Sequence, residues 1–287
     1  MNKHSKNDLM HNKLVIVTGA NSGIGYETTR ALAKQGAFIL MVCRNEEKAK
    51  EARKEIIDET GNTGLDIVLC DFSIQADIHK AAKEINSQYE KIDVLINNHG
   101  FLASEKEETV DGLEMTFAVN HIGYFLFTKL LLEKIKAADS GRIVSVASEA
   151  HRAGTYDPEN IQLRDGFSPW KAYGNSKLYN ILFTKELANR LTDTNVTANC
   201  LHPGVVASNF AQSGSWIMKT LFTIGKLFFV SPKKGAETSI YLATSPEVEN
   251  TNGAYFRNKK VATPSATARD PEAAKELWNI SEKLCCV

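Results

Sequence analysis

The stretch "LVIVTGANSGIGYETTRALAKQG", residues 14–36, carries the strongest fold signal in this sequence. Apolar residues lead into Thr18, glycines follow at Gly19, Gly23 and Gly25, and a helical pattern then begins. Glycine is needed where φ is positive or where backbone must approach a ligand without a Cβ. At a strand-to-helix junction, free helix N–H groups and the positive dipole end bind phosphate. The stretch predicts an anion site, although a plain glycine-containing turn would look the same.

Short β-branched segments alternate with longer helical patterns along the chain. The predicted strands are Leu14–Thr18, Phe38–Cys43, Leu65–Cys70, Val94–Asn97, Arg142–Ala147 and Thr197–Leu201. The predicted helices lie near Tyr26–Gln35, Glu46–Thr60, Ile74–Tyr89, Gly112–Ile135 and Ala172–Arg190. This alternation predicts the α/β class, with a doubly wound parallel sheet covered by helices on both faces. No repeat or linker marks a boundary, so residues 1–287 are interpreted as a single domain.

Composition narrows the class of protein. The 34 basic and 34 acidic residues balance, so no global field favours nucleic acid or an anionic membrane. The first twelve residues lack the apolar core of a signal peptide, and no run of about 20 uncharged apolar residues predicts a transmembrane span. The five cysteines have no ligand-like spacing and indicate reduced thiols in a cytoplasmic protein. The pair Cys285–Cys286 is interpreted as a frayed tail, with a reactive pair as the alternative.

The end of the second predicted strand bears on the choice of cofactor. The spacing Gly-x-x-x-Gly-x-Gly differs from the Gly-x-Gly-x-x-Gly of ordinary dinucleotide folds and from a P-loop. NAD sites of the dinucleotide type place an Asp or Glu about 20 residues after the glycines, where it accepts from the ribose. Here Cys43, Arg44 and Asn45 supply no acid, and the Arg44 guanidinium suits a 2′-phosphate. We therefore predict NADP(H), with NAD(H) and a merely solvated Arg44 as alternatives.

A tyrosine and a lysine are spaced for acid–base chemistry. Tyr173 and Lys177 in "KAYGNSK" stand four apart and share one face of a predicted helix. An ammonium group close to a tyrosine favours the tyrosinate and lowers its pKa. Any amphipathic helix can supply such a pair, so the context matters. Ser148 ends a predicted strand, and Asn120 stands in an otherwise apolar helix where a buried amide needs a reason.

Together these motifs resemble the short-chain dehydrogenase/reductase family over roughly residues 12–260. The segments "TGANSGIGYET", "CRN", "NHIGYFLFTKLLL", "SEAHRAG" and "AYGNSKLYNILFTKELA" are most similar to its retinol dehydrogenase and WW-domain-oxidoreductase branch. The resemblance implies a Rossmann-type NAD(P)-binding domain. It also implies the catalytic tetrad Asn120, Ser148, Tyr173 and Lys177.

The resemblance further implies a set of cofactor contacts. They are Gly19, Asn21, Ser22, Gly23, Ile24, Gly25, Arg44, Asn45, Asp71, Phe72, Asn97, His99, Gly100, Tyr173, Lys177, Pro203, Gly204 and Val206. The sequence departs from the family pattern at two places. His99 replaces the usual alanine of Asn-Asn-Ala-Gly and brings a titratable ring near the cofactor, and Ala147 replaces a first serine while Ser148 is intact.

The family mechanism assigns a task to each member of the tetrad. Hydride passes from nicotinamide to a carbonyl carbon while Tyr173 gives its proton to the oxygen. Lys177 lowers the tyrosine pKa and bonds the nicotinamide ribose, Ser148 orients the carbonyl, and Asn120 holds a relaying water. This mechanism needs no metal, and the sequence shows no metal-ligand cluster. A non-catalytic NADP-binding sensor or scaffold is the alternative from another class.

The substrate is expected to be an apolar, medium-sized carbonyl or alcohol: a retinal-like aldehyde, an alkanal or a ketone. Family members build a substrate lid after the Pro203–Gly204 position, approximately over residues 205–232 here. Within Trp216–Val230 one helical face carries Ile217, Leu221, Ile224 and Phe228. A core helix, a dimer contact and an interfacial helix on a membrane are the alternatives for this segment. By family resemblance we expect a homo-oligomer, either a dimer or a tetramer.

Overall fold

The computed structural model describes residues 10–205 and 230–285, which contain one eight-stranded sheet. Its strands are β1 (Leu14–Thr18), β2 (Phe38–Cys43), β3 (Leu65–Leu69), β4 (Val94–Asn97), β5 (Gly141–Val146), β6 (Val196–His202), β7 (Tyr255–Arg257) and β8 (Lys260–Val261). They lie in the order β3-β2-β1-β4-β5-β6-β7-β8. All neighbours are parallel except the pair β7–β8. The predicted doubly wound α/β class is confirmed.

Helices cover both faces of this sheet. They are α1 (Gly23–Ala33), α2 (Glu46–Thr60), α3 (Gln75–Gln88), α4 (Met115–Phe117), α5 (Gly123–Lys136), α6 (Pro169–Arg190), α7 (Pro232–Thr244) and α8 (Pro271–Cys285). Helices α3, α5, α6 and α8 bury their apolar sides in one core cluster with alternate strand residues. Helices α1, α2 and α7 pack on the opposite face. This arrangement follows from strands that are apolar on both sides.

The sheet has its switch point beside β1. Strand β1 pairs with β2 on one side and with β4 on the other, so the strand order reverses there. Ligands of open parallel sheets bind outside the carboxyl ends of the strands at such a point. The ends of β1, β4 and β5 therefore meet at the edge where the sequence places Gly19, Asn97 and Ser148.

The helix predicted near Gly112–Ile135 is divided in the structure. Helix α4 runs into a π-helical turn at Ala118–Ile122, which continues into α5. The spacing of apolar residues in the sequence does not reveal this turn, because the residues on both sides of it are apolar and the pattern still resembles one continuous helix. By length and composition the stretch Met115–Lys136 could cross a membrane, but 72% of its most apolar window is buried inside the protein. Its burial marks it as a core helix.

The C-terminal part corrects one interpretation. Cys285 ends α8 and is 4% exposed, so it is not part of a frayed tail. Helix α8 packs on α6, with the Trp278 ring stacked on Phe183 of α6 at 6.0 Å. Cys286 lies outside the described residues.

The predicted lid falls almost wholly outside the described residues, and its role stays a prediction. The residues flanking it are described. Val230 N donates to Val205 O at 2.8 Å, so the two ends of the segment lie side by side.

Candidate active site

The glycine junction after β1 forms a bare backbone cradle. Gly19 has φ of +65°, and its N–H donates to Val42 O at 2.8 Å. A Cβ on Gly25 would lie 2.1 Å from Gly19 O and 2.6 Å from Asn98 Nδ2, so no side chain fits there. Helix α1 begins at Gly23, and the Ser22 side chain makes no capping hydrogen bond to it. The first-turn N–H groups are therefore available to an anion, as a dinucleotide pyrophosphate requires.

Arg44 directly follows β2 and exposes its side chain at the carboxyl edge of the sheet. Its side chain is 73% exposed, with Nη1 3.7 Å from Asp71 Oδ2 at the neighbouring β3 end. Asp71 is held in turn by Ser73, whose N and Oγ donate to it at 2.9 and 2.7 Å. Asn45 caps α2 by accepting from Lys48 N at 2.9 Å. The arginine is thus steered by one carboxylate and is otherwise open to solvent, which fits a 2′-phosphate partner.

Cys43, directly before Arg44, points into the protein. It is 2% exposed, and its sulfur accepts from the backbone N–H groups of Ala20 and Asn21. Burial raises the pKa of this thiol to about 11, so it remains protonated. The side chain thus stabilises the glycine loop from the buried side.

Asn97 ends β4 and Asn98 follows it, and their side chains make different contacts. The Asn97 side chain is fully buried and donates to Thr128 Oγ1 at 2.9 Å, so it anchors α5 below the sheet edge. Asn98 was not among the predicted site residues. Its Nδ2 donates to Thr18 O and its N to Thr18 Oγ1, both at 2.8 Å, and Gly25 packs on its amide. The doubled Asn in "INNHG" was the available signal.

Tyr173 and Lys177 lie on α6 as predicted and meet at the β5 end. Lys177 is 3% exposed, and its Nζ donates to Val146 O at 3.0 Å. The same Nζ lies 5.6 Å from the centre of the Tyr173 ring. A Cβ added to Gly100 would stand 3.6 Å from Lys177 Nζ and 3.9 Å from Asn120 Oδ1. The missing side chain at Gly100 thus opens the space between lysine and asparagine.

Ser148 completes this group. A hydrogen bond from Ser148 to Tyr173 lowers the pKa of the tyrosine. Two neighbours hold the backbone around Ser148 in place: His151 Nδ1 donates to Ser148 O at 2.6 Å, and Glu149 N donates to His202 Nδ1 at 3.1 Å. These two histidines were not predicted, although "SEAHRAG" and "LHPG" display them. Only their hydrogen bonds in the folded protein show that they hold the backbone around Ser148.

The electrostatics of the pair differ from the sequence-based expectation. Burial raises the pKa of Tyr173 to about 12, more than the Ser148 hydrogen bond lowers it. Burial likewise lowers the pKa of Lys177 to about 7. The predicted lowering of the tyrosine pKa by lysine is therefore wrong for this structure, in which desolvation raises that pKa. Burial thus shifts each group towards its neutral form, which leaves the tyrosine protonated and the lysine near its midpoint at neutral pH.

Asn120 lies within the π-helical turn and is fully buried. Its Oδ1 accepts from Phe101 N at 2.7 Å, and its Nδ2 donates to Phe101 O at 2.8 Å and to Ser176 Oγ at 3.0 Å. The amide thus joins the loop after β4 to α6, which explains why an amide stands in an apolar helix. The turn that carries it borders the Gly100 space.

The remaining predicted contacts fall in three groups. Asn21 and Ile24 lie in the glycine junction and Pro203 and Gly204 follow β6, where Gly204 has φ of +91°. Phe72 and His99 are buried and stack on each other at 3.7 Å, so their rings face the core. Val206 lies outside the described residues. Within residues 10–205 and 230–285 no cluster of metal-ligating side chains is found.

Known proteins show the same family signal over most of the chain. A family model described as short chain dehydrogenase matches residues 13–215. Human retinol dehydrogenase 13 is 41% identical over 281 residues, which cover 95% of this chain and 84% of that protein. Human retinol dehydrogenase 14 is 40% identical over 292 residues, covering 96% and 87%. Retinol dehydrogenase 12 of Mus musculus is 39% identical over 272 residues, covering 95% and 86%.

Solved structures agree on the fold. An uncharacterised protein from Mycobacterium paratuberculosis has a TM-score of 0.79 at 30% identity, covering 96% of this chain and 94% of that chain. A short chain dehydrogenase from Escherichia coli CFT073, complexed with NADPH, has a TM-score of 0.71 at 23% identity, covering 89% and 100%. The chain belongs to the short-chain dehydrogenase/reductase family, in its retinol dehydrogenase-like branch, and is an oxidoreductase of the alcohol–carbonyl class.

Proposed function

We propose that the protein is an NADP(H)-dependent reductase of an apolar, medium-sized carbonyl compound, such as a retinal-like aldehyde, an alkanal or a ketone. One observation carries the proposal: the Ser148–Tyr173–Lys177 group lies at the carboxyl end of β5, next to the loop after β4, on the same edge of the sheet as the glycine cradle. The curated relatives named retinol dehydrogenases support the class of substrate.

The cofactor would be held by groups already described. The cradle at Gly19 and Gly25 suits the pyrophosphate, and the exposed Arg44 guanidinium suits the 2′-phosphate of the adenosine ribose. Asp71, 3.7 Å from Arg44, keeps that guanidinium at the nucleotide edge. When bound, NADPH supplies the hydride for the carbonyl carbon. Preference for the phosphorylated cofactor rests on Arg44 and on the lack of an acid at the end of β2.

Tyr173 is the proton donor to the carbonyl oxygen. Because burial raises its pKa to about 12, the phenol keeps its proton at neutral pH and is ready for carbonyl reduction. Ser148, hydrogen-bonded to Tyr173, stabilises the phenolate that remains after transfer. A donor of this kind contributes about two to four orders of magnitude in rate.

Lys177 restores the proton on Tyr173. Its Nζ lies between the Val146 carbonyl and the open side of Gly100, with Asn120 bordering the same space. A pKa near 7 lets the ammonium lose and regain a proton near neutrality. The relay therefore runs from the Asn120 side through Lys177 to Tyr173.

Two exposed apolar residues support an apolar substrate. Trp170, one turn before Tyr173 on α6, is 56% exposed, and Val205, just after Pro203, is 53% exposed. Trp170 lies in the first turn of α6, which carries Tyr173, and Val205 lies in the loop that follows the carboxyl end of β6. Contact with a membrane surface would use the same residues and stays a second proposal, which liposome flotation tests. A cytoplasmic location and a homo-oligomer likewise remain proposals from the sequence.

A substrate screen tests the proposal. NADPH oxidation is followed against retinal, alkanals of increasing length and cyclic ketones, with Tyr173→Phe as the matched control. Wild-type turnover should exceed that of Tyr173→Phe by about two orders of magnitude or more, with similar cofactor affinity in both proteins. Binding of NADPH without any carbonyl-dependent turnover would favour the sensor instead. Equal turnover in both proteins would contradict the role of the tyrosine.

A further inference from the structure

His99 is bonded at both nitrogens of its ring. Nδ1 lies 2.9 Å from Thr18 Oγ1, at the end of β1, and Nε2 lies 2.8 Å from Val119 O, in the π-helical turn. The ring stacks on Phe72 at 3.7 Å and meets Tyr124 edge-on at 4.8 Å. The imidazole ring thus spans the space between the end of β1 and the π-helical turn.

The partners define the protonation state of the ring. A carbonyl oxygen can only accept, so Nε2 carries the hydrogen and donates to Val119 O. Burial lowers the pKa of His99 to about 3, so the ring is neutral and its Nδ1 accepts from the Thr18 hydroxyl. That hydroxyl also accepts from Asn98 N at 2.8 Å and from His99 N at 3.1 Å. The single hydroxyl hydrogen is shared between His99 Nδ1, the nearer acceptor at 2.9 Å, and Ile96 O at 3.3 Å.

The two ends of this bridge belong to the two halves of the site. Thr18 directly precedes Gly19 of the glycine cradle, and its carbonyl accepts from Asn98 Nδ2. Val119 directly precedes Asn120, whose amide borders the space beside Lys177.

The backbone of His99 is anchored as well. Tyr124 OH donates to His99 O at 2.7 Å, which ties the start of α5 to the same residue. His99 is therefore bonded to the end of β1, to the π-helical turn and to the start of α5.

We propose that His99 is a positioning residue that fixes the Asn120 turn relative to the glycine cradle, so that the tetrad and the cofactor keep their mutual geometry. This inference rests on the proposed reductase function. It assigns the imidazole a role through Val119 and Thr18, without contact to substrate or cofactor. A small displacement of a positioned group costs up to about 100-fold in rate, which is the size of effect expected here.

Two substitutions separate bridging from packing. His99→Gln keeps an amide N–H for Val119 O and an amide oxygen for the Thr18 hydroxyl, whereas His99→Phe keeps only the stacked ring. His99→Phe should lower kcat by about 10- to 100-fold with KM for carbonyl and NADPH changed less than about threefold. His99→Gln should recover kcat to within about threefold of wild type. A role in packing alone predicts the opposite order, because Phe fills the slot better than Gln.

A third substitution covers the case in which His99→Phe does not fold. His99→Asn has a shorter side chain that cannot span from Thr18 to Val119, so its kcat should fall well below that of His99→Gln. Equal kcat in the Asn and Gln variants, or unchanged kcat in a folded Phe variant, overturns the inference. Tyr173→Phe is measured alongside: if it retains turnover, the proposed function fails, whereas its loss with unaffected His99 variants refutes the positioning role alone.

Discussion

Lys177 Nζ lies 5.6 Å from the centre of the Tyr173 ring, and burial shifts the two groups in opposite directions. The pKa of the tyrosine rises to about 12, and that of the lysine falls to about 7. At neutral pH the tyrosine therefore holds its proton, while the lysine stands near its midpoint. Tyr173 can therefore donate a proton, and Lys177 can then return a proton to it, which suits carbonyl reduction.

The first prediction concerns the pH dependence of turnover. The ammonium form of Lys177 is lost as the pH rises through about 7, so kcat for carbonyl reduction should decline above that pH. Lys177→Arg keeps its charge at every working pH, so its lower activity should lack this decline. Steady-state rates between pH 5.5 and 9 with one aldehyde check this. A flat wild-type profile would remove Lys177 from the relay.

The second prediction concerns the cradle. Gly25→Ala adds a Cβ that would lie 2.1 Å from Gly19 O, so the loop must shift and NADPH binding measured by calorimetry should be lost. Gly112→Ala is the control for an added Cβ that meets nothing within 4 Å; its φ of +72° adds a backbone strain that the helical Gly25 does not have, so it is a demanding control for folding. Circular dichroism monitors folding in both. Full affinity in a natively folded Gly25→Ala would show that this glycine serves only the turn.

The third prediction concerns cofactor choice. The wild type should use NADPH better than NADH by about tenfold or more in kcat/KM, because a charge-assisted bond contributes about 1.5–3 kcal/mol. Arg44→Ala should remove most of this preference by weakening NADPH alone. Lys54→Ala, an exposed substitution on α2 beside Asp58, serves as the control for lost positive charge. A preference that survives Arg44→Ala would return this arginine to the solvated surface.

A double substitution that would reverse the cofactor preference, judged from the sequence alone, is expected to have a smaller effect in this structure. Adding Cys43→Asp to Arg44→Ala is expected to reverse the preference, since an acid would accept from a free ribose. The thiol of Cys43, however, faces the N–H groups of Ala20 and Asn21, which would attract the new carboxylate. Cofactor reversal in the double variant is therefore expected to be smaller than a surface-facing acid would give.

The fourth prediction concerns stability in acid. Burial lowers the pKa of His121 to about 3 from the 6.5 of an unfolded chain, so between these values the unfolded chain binds a proton that the folded chain does not. Stability should therefore fall as the pH falls from about 6.5 towards 3. His121→Gln, which keeps a donor for Ser281 Oγ but does not titrate, should make the melting temperature fall less steeply in this window, while His99 and His202, whose pKa values burial also lowers, maintain part of the fall. The exposed His79→Gln should leave the curve unchanged.

Several elements were predictable because their signals are local. The strands Leu14–Thr18, Phe38–Cys43 and Val94–Asn97 match the prediction to the residue. Buried parallel strands are short apolar runs, and that property is written in consecutive residues. The glycine spacing was equally readable, since a positive φ and an excluded Cβ are constraints on single positions.

Other features depend on residues distant in the chain. The π-helical turn, the inward aim of Cys43 and the anchoring of Asn97 by Thr128 all arise from contacts between separate elements. The C-terminal helix α8 and the buried Cys285 were missed because the apolar face of that helix acquires meaning only against α6.

The sequence by itself determined the fold class, the family and the residue types of the tetrad, because each is encoded by short-range spacing. The tertiary structure alone decided which asparagine meets the glycine loop, which way His99 faces and how burial shifts Tyr173 and Lys177. Desolvation is a property of everything packed around a group, and a buried hydrogen bond joins atoms that may stand 80 residues apart, as Thr18 and Asn98 do. No local pattern records either quantity.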